Sequence, residues 1–320
     1  MSPASDAAPR LSVVLEFETA GLAAASQVHD NLDELRRQVV ALGVPAEIVV
    51  SSPAVWVDCP PDLLNVVLPG ASYYALKNWG MRHARGEVVL FLDADCRLAG
   101  GYLAALWQAF EADPELWCLT GRTRYAGTSA LSRINTALSF GYLYDPDAAT
   151  PAPYAALSHN VAVRVRHAPE RPFGEWHGRV NGDRYLTDWY GARGRPPRLD
   201  PRLLIFHEDP SGSLRLTLER HLREHLKHAG EVDALCLSSA VGRRALRSAW
   251  QSLRKRAHKL ECWGEHAGLG RGDRAVASVV LPIYSLLDLL AVTLVIGIPS
   301  LRQRWLDYQN GRPCHPSCPS

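Results

Sequence analysis

Residues 86–96 read GEVVLFLDADC: an apolar run from Val88 to Leu92 that ends in two carboxylates, Asp93 and Asp95, with one alanine between them. A short, continuous apolar run bounded by a glycine and by acids reads as a strand buried on both faces. Two carboxylates two positions apart along a strand direction share a face and repel each other. The stretch therefore predicts a positive group between or beyond them. Hard divalent cations such as Mg²⁺ and Mn²⁺ prefer oxygen ligands and often share them with substrate phosphates, so a metal site is one reading. A solvated turn carrying two acids is the other.

Working outward, short apolar runs alternate with helical periodicity up to about residue 125. LSVVLEF (11–17), AEIVV (46–50), LNVVLP (64–69) and EVVLFLD (87–93) read as strands, and 22–42, 72–85 and 100–112 as helices. This alternation predicts an α/β fold with a mostly parallel sheet flanked by helices. In such open sheets ligands bind outside the carboxyl ends of the strands, where Asp93 and Asp95 stand. Beyond residue 125 the alternation loosens and aromatic, glycine and proline residues become frequent, as in a binding half built from loops and short elements. NVAVRV (160–165) reads as a strand, Asp183 to about Ala192 as a helix, and RLLIF (202–206) as a strand ending at His207.

With 47% hydrophobic and 21% charged residues among 320, the chain reads as globular, neither disordered nor polytopic. A formal charge of +2 gives no pointer to nucleic acid. Seven scattered cysteines read as buried thiols of a reducing compartment, and MSPASDAAPR has no apolar run of the secretory kind. The tail RPCHPSCPS holds Cys314, His315 and Cys318, which read as a frayed terminus before they read as a metal site. No Gly-Lys-Ser/Thr occurs, which excludes a P-loop enzyme.

The longer stretch YYALKNWGMRHARGEVVLFLDADC (73–96) resembles the nucleotide-binding region of family 2 glycosyltransferases: a basic residue and Asn in a helix (Lys77, Asn78), then Ala84, Gly86 and Glu87, an apolar strand, and Asp93-x-Asp95. SHNVAVR (158–164), NGDRYLTDWYGARG (181–194) and LLIFHE (203–208) resemble later segments of that family in the same order, so the likeness runs over residues 10–212. The resemblance implies a GT-A fold and an inverting transfer of sugar from a nucleotide diphosphate donor to a hydroxyl acceptor such as a glycan or lipid-linked precursor. It implies Mn²⁺ or Mg²⁺ held by Asp95 and His207, with Asp93 turned to the ribose. Lys77, Asn78 and Glu16 fall on the donor side, Asn160, Trp176 and Trp189 on the acceptor side, and Asp183 at the catalytic base.

Bland readings stand beside these: a satisfied histidine for His207, a helix N-cap for Asp183, packing for the tryptophans. Asp188, five residues on, is the competing acid and would face elsewhere on the helix. The chain also departs from the family pattern. Ser51 and Ser52 stand where an acid pair usually ends the second strand, Gly182 replaces a Glu before Asp183, and LEFETAG (15–21) is unlike the usual Thr-Tyr-Asn. Two further classes are a non-catalytic relative that binds saccharide or nucleotide, and a haloacid-dehalogenase-type phosphatase. The latter closes its first strand with the Asp pair, whereas three strands precede it here.

From Leu214 the character changes, which divides the chain into a transferase domain (8–212) and a helical extension (213–320). Residues 214–262 read as helical, with Leu246, Trp250, Leu253 and Leu260 on one stripe and a basic stretch at 243–260. VASVVLPIYSLLDLLAVTLVIGIPSL (276–301) is long enough to cross a bilayer, but Pro282 and Asp288 argue against a clean crossing. A helix lying in an anionic membrane surface on the cytoplasmic side, or a hairpin packed on the catalytic domain, is expected instead.

Overall fold

The computed structural model describes residues 8–18, 25–57, 59–144, 156–174, 182–208 and 241–298. It divides into two compact units, Met1–Arg124 with Pro146–Glu208, and Tyr125–Asp145 with Asp209–Ser320.

The first unit is built on one mixed sheet. Strands β1 (Leu11–Glu16), β2 (Ala46–Ser52), β3 (Leu64–Val67) and β4 (Val88–Asp93) are parallel, in the order β3-β2-β1-β4. The register sets Glu16 level with Ser51 on one side and with Asp93 on the other, so the carboxyl ends of three strands form one rim. The sheet continues antiparallel: β7 (Asn160–Arg164) pairs with β4, β6 (Cys118–Tyr125) with β7, and β8 (Arg198–His207) with the short β5 (Cys96–Leu98). The α/β class is the expected one, and the parallel part is confined to the first four strands.

Every residue of β1 and β4 is buried, because helices cover both faces. Alternate side chains go to opposite layers. Val88, Leu90 and Leu92 join α1 (Ala25–Ala41) and α3 (Tyr102–Ala112) in one core, while Val89 and Phe91 join α2 (Tyr73–His83) and α5 (Gly182–Gly191) in the other. Asp93 continues the second series and so faces the α2 layer. Helix α2 lies close against the sheet at Gly80, where a Cβ would stand 2.4 Å from Val14 Cγ1. Any side chain there would push Lys77, one turn earlier, away from the strand ends.

The second unit packs α4 (Ala130–Phe140), α6 (Val241–Trp263) and α7 (Arg271–Gly297) around Ile134, Ala137, Leu260, Leu269 and Leu281. Arg133 reaches both carboxylate oxygens of Asp273, at 2.9 and 2.7 Å, which ties α4 to the start of α7. The sequence gives no sign that 125–145 belongs with the C-terminal helices, since only packing reveals that Ile134 and Ala137 face them. Among the described residues no helix is long and apolar enough to cross a membrane. Cys59, Cys96, Cys118 and Cys262 are free thiols; Cys262 is exposed, contrary to the expectation of buried cysteines. The Cys314/Cys318 tail lies outside the described residues.

Candidate functional site

The rim of β1, β2 and β4 answers the question set by two adjacent acids. Lys77 Nζ lies 2.6 Å from Asp93 Oδ1 and 3.1 Å from the Leu92 carbonyl oxygen, with its side chain out of solvent. Tyr73, one helical turn before Lys77 on the same face, sets its hydroxyl 2.7 and 2.9 Å from the two oxygens of Asp93. Burial pushes the Asp93 carboxyl up, but the charges of Lys77, His159 and His207 and the Lys77 hydrogen bond outweigh it, so its pKa lies below the usual carboxylate value. The family resemblance puts Lys77 on the donor side. In the folded chain it is spent on β4.

Asp95 follows the strand and is almost fully buried. Antiparallel pairing of β5 with β8 sets Cys96 opposite His207, which brings that imidazole to Asp95 from the far end of the domain. His207 Nε2 stands 3.8 Å from Asp95 Oδ1, too far for a hydrogen bond. Its Nδ1 lies 3.2 Å from the Glu208 carbonyl oxygen, which can only accept, so in the neutral ring Nδ1 carries the proton and Nε2 offers its lone pair. Asp93, Asp95, Cys96 and His207 each bring one ligand atom within 4.8 Å of the others. This donor set fits a divalent cation: a carboxylate and an imidazole are suitable ligands at Asp95 and His207, whereas Asp93 is already balanced by Lys77. Cys96, whose Sγ is 3.8 Å from Asp95 Oδ1, adds a softer donor that the sequence reading passed over.

Asp183 stands in the first turn of α5. Its Oδ1 accepts the backbone N–H of Ser158 at 2.9 Å. Burial raises its pKa; hydrogen bonding from Ser158 opposes the rise, and the charge of Asp93 adds to it. Gly182 has a structural reason, because a Cβ there would stand 2.6 Å from the Tyr74 ring, so Tyr74 fills the space a larger side chain would take. Asp188 is exposed and ion-paired with Arg184 at 2.8 Å.

The remaining expected residues fall in varied places. Glu16 is buried on the rim with Oε1 accepting the Glu18 N–H. Asn78 clamps the turn at Phe173–Gly174, donating to the Gly174 carbonyl oxygen at 2.8 Å and accepting from the Phe173 N–H at 3.1 Å. Asn160 is fully buried and bonded to Tyr102 and to the carbonyl oxygens of Arg122 and Leu203. Both asparagines thus shape the site from behind. Trp189 packs on the α2/α5 core with Arg193 stacked 3.7 Å over its ring, and Trp176 lies outside the described residues. Ser51 and Ser52, at the place of the missing acids, donate to the carbonyl oxygens of Leu76 and Ala54.

Besides Cys96, three residues of the site were not singled out from sequence. Tyr73 could have been found from its spacing to Lys77. Ser158 and His159 lie in the quoted SHN run, and His159 packs edge-on against His207 at 5.4 Å while its Nε2 lies 3.1 Å from Thr123 Oγ1.

Comparison with known proteins matches residues 73–167, under a third of the chain, to the model of glycosyl transferase family 2. No curated protein matches. Among solved structures the chain is similar to the mannosyltransferase PcManGT from Pyrobaculum calidifontis in complex with GDP-Man and Mn²⁺, with 16% identity and a TM-score of 0.48 over 93% of this chain and 90% of that one. It is also similar to a mycobacterial protein, with 14% identity and a TM-score of 0.40 over 64% and 69% of the two chains. The matched segment holds α2 with Tyr73 and Lys77, the Asp93-x-Asp95 turn, and Ser158 and His159 ahead of β7, and over this segment the chain is similar to family 2 glycosyltransferases.

Proposed function

We propose that the protein transfers a sugar from a nucleotide diphosphate donor to a hydroxyl acceptor with inversion, using a divalent cation bound by Asp95 and His207 and Asp183 as the base. The observation that carries this reading is the Asp95–His207 pair: two buried or half-buried ligand groups 3.8 Å apart, with the imidazole lone pair turned inward. Mn²⁺ or Mg²⁺ there supplies positive charge to a leaving diphosphate. Asp93, balanced by Lys77, then serves as a fixed acceptor for donor hydroxyls. Asp183 takes the proton of the attacking hydroxyl; its raised pKa makes it a stronger base than an ordinary carboxylate.

The second unit supports a peripheral membrane placement. Val279, Ile283, Leu286 and Leu290 recur at three- and four-residue spacing on α7, each at least half exposed, and Trp250 on α6 is exposed as well. An apolar stripe of this kind on a surface helix, with exposed Arg254, Lys255, Arg271 and Arg274 in the same unit, suits an anionic lipid surface.

A panel of UDP-, GDP- and dTDP-sugars, with lipid-linked and soluble hydroxyl acceptors and with Mn²⁺ or chelator, tests the enzyme reading. Release of nucleoside diphosphate that needs both metal and acceptor is expected. Release of inorganic phosphate, or binding of a nucleotide sugar with no turnover of any member, would replace the reading with the phosphatase or the non-catalytic one.

A further inference from the structure

Cys96 stands directly across the β5–β8 pairing from His207. Opposed residues of an antiparallel pair put their side chains on one face of the sheet, with Cβ atoms about 4.5–5.5 Å apart. The Glu208 N–H donates to the Asp95 carbonyl oxygen at 2.9 Å, so backbone hydrogen bonds fix the place of Asp95 beside that pair. Asp95 Oδ1 lies 3.8 Å from His207 Nε2 and 3.8 Å from Cys96 Sγ, and the ligand atoms of Cys96 and His207 are within 4.8 Å of each other. Around one tetrahedral Zn²⁺ such an oxygen and nitrogen stand about 3.4 Å apart, and a sulfur about 3.6 Å from either. Two of the three edges thus come within about 0.4 Å of that requirement, and a turn of the imidazole closes the third. A cysteine that only packs needs no such neighbours. Cys96 does join Leu92 and Leu98 in the core, but its sulfur also touches the Asp95 carboxylate.

We propose that Cys96 is a third protein ligand of the site formed by Asp95 and His207, and that its sulfur makes the site select a borderline-soft ion, Zn²⁺ or Co²⁺, over the oxygen-preferring Mg²⁺ and Mn²⁺. The proposal rests on the reading of Asp95 and His207 as metal ligands. Mg²⁺ demands octahedral oxygen and gains nothing from a thiolate, whereas thiolate, imidazole and carboxylate together suit Zn²⁺. Three protein ligands leave a fourth position open, the pattern of a zinc site that takes a water or substrate oxygen. Burial holds the thiol protonated in the metal-free protein. The metal takes the place of that proton, which leaves to water as the sulfur–metal bond forms.

The test adds Co²⁺ to the full-length, ligand-free protein, because a cobalt–thiolate bond gives a near-ultraviolet charge-transfer band that oxygen and nitrogen ligands do not. Wild type should show the band at stoichiometric cobalt, and Cys96→Ser and His207→Ala should each lose it. Cys262→Ser, which alters the exposed thiol beside His258, should keep it. By titration calorimetry Cys96→Ser should weaken Zn²⁺ binding by about tenfold or more and change Mn²⁺ binding by less than about threefold. A serine that merely disturbed the fold would weaken both ions alike. An unchanged band in Cys96→Ser, or equal losses for the two ions, overturns the proposal. Should Cys96→Ser not fold, His207→Ala decides: loss of the band upholds the ligand set, and a band that survives without the imidazole belongs to another cysteine and overturns it. Mn²⁺ binding that needs Asp95, in a protein without the thiolate band, overturns the sulfur ligand and leaves the Asp95–His207 reading standing; no binding of any of these ions overturns both.

Discussion

Replacing Lys77 by methionine should cost about 3 kcal/mol of stability at neutral pH and reverse the response of that stability to acid. Methionine keeps the length and apolar stem, so the packing of α2 on β1 survives. What is lost is the partner of a carboxylate that is only 4% exposed, at 2.6 Å. Removing one member of a buried pair typically costs about 3–5 kcal/mol, and the lower end applies because Tyr73 still donates to Asp93. In the wild type the Asp93 pKa lies below its usual 3.8, so its contribution is complete at neutral pH and is lost as pH falls through that value. In Lys77→Met the largest opposition to burial is gone, only His159, His207 and the Tyr73 hydroxyl still favour the charged form, and the pKa rises above 3.8. The ionised form then penalises the fold at neutral pH, and the penalty fades as acid protonates it. Urea unfolding at about pH 7.5 and about pH 5 should show the difference from wild type shrinking at the lower pH. Lys77→Met/Asp93→Asn, with no unpaired charge, should recover most of the loss. If Lys77→Met stays within about 1 kcal/mol of wild type at both pH values, the ion pair does not hold the rim together and the argument fails.

Asp183→Asn should fold normally and bind donor, yet lose transfer by about a hundred- to ten-thousand-fold, whereas Asp188→Asn should be mild; equal losses would mean the base is misassigned. The acid limb of the pH–rate profile should lie above the ordinary carboxylate range, in line with the raised pKa of Asp183, and a limb below it would point to another group. Titration calorimetry of the ligand-free protein with Mn²⁺ should give binding that Asp95→Ala and His207→Ala each weaken by about tenfold or more, and unaltered binding in both would move the metal elsewhere. Serine at Val279, Ile283 and Leu286 should release the protein from anionic liposomes without unfolding it, because these side chains are exposed. If the full-length protein never pellets with such liposomes, the α7 stripe has another partner.

The first half of the sheet was legible because its strands are short, continuous apolar runs separated by helical periods. Such a pattern has few other low-energy solutions than a covered parallel sheet. The run Val88–Leu92 and the acids after it placed a strand and its carboxyl end, and the spacing of Asp183 and Asp188 told that the two acids face different ways. Tertiary structure decided whatever depends on residues far apart in sequence. Lys77 and Asn78 are neighbours in one motif, but the helix turns Lys77 to the strand end and Asn78 to the Phe173–Gly174 turn, because Gly80 seats α2 against β1. His207 reaches Asp95 only through the antiparallel β5–β8 pairing, and Cys96 enters the cluster because that register places it opposite His207. Asn160 carries no sequence mark that tells a ligand-facing amide from a buried one; its neighbours Tyr102, Arg122 and Leu203 settle it. Local pattern fixes which element a residue lies on and which face it shares, since both follow from the helical and strand periods, but the partner across that face is set by packing, which no local period encodes.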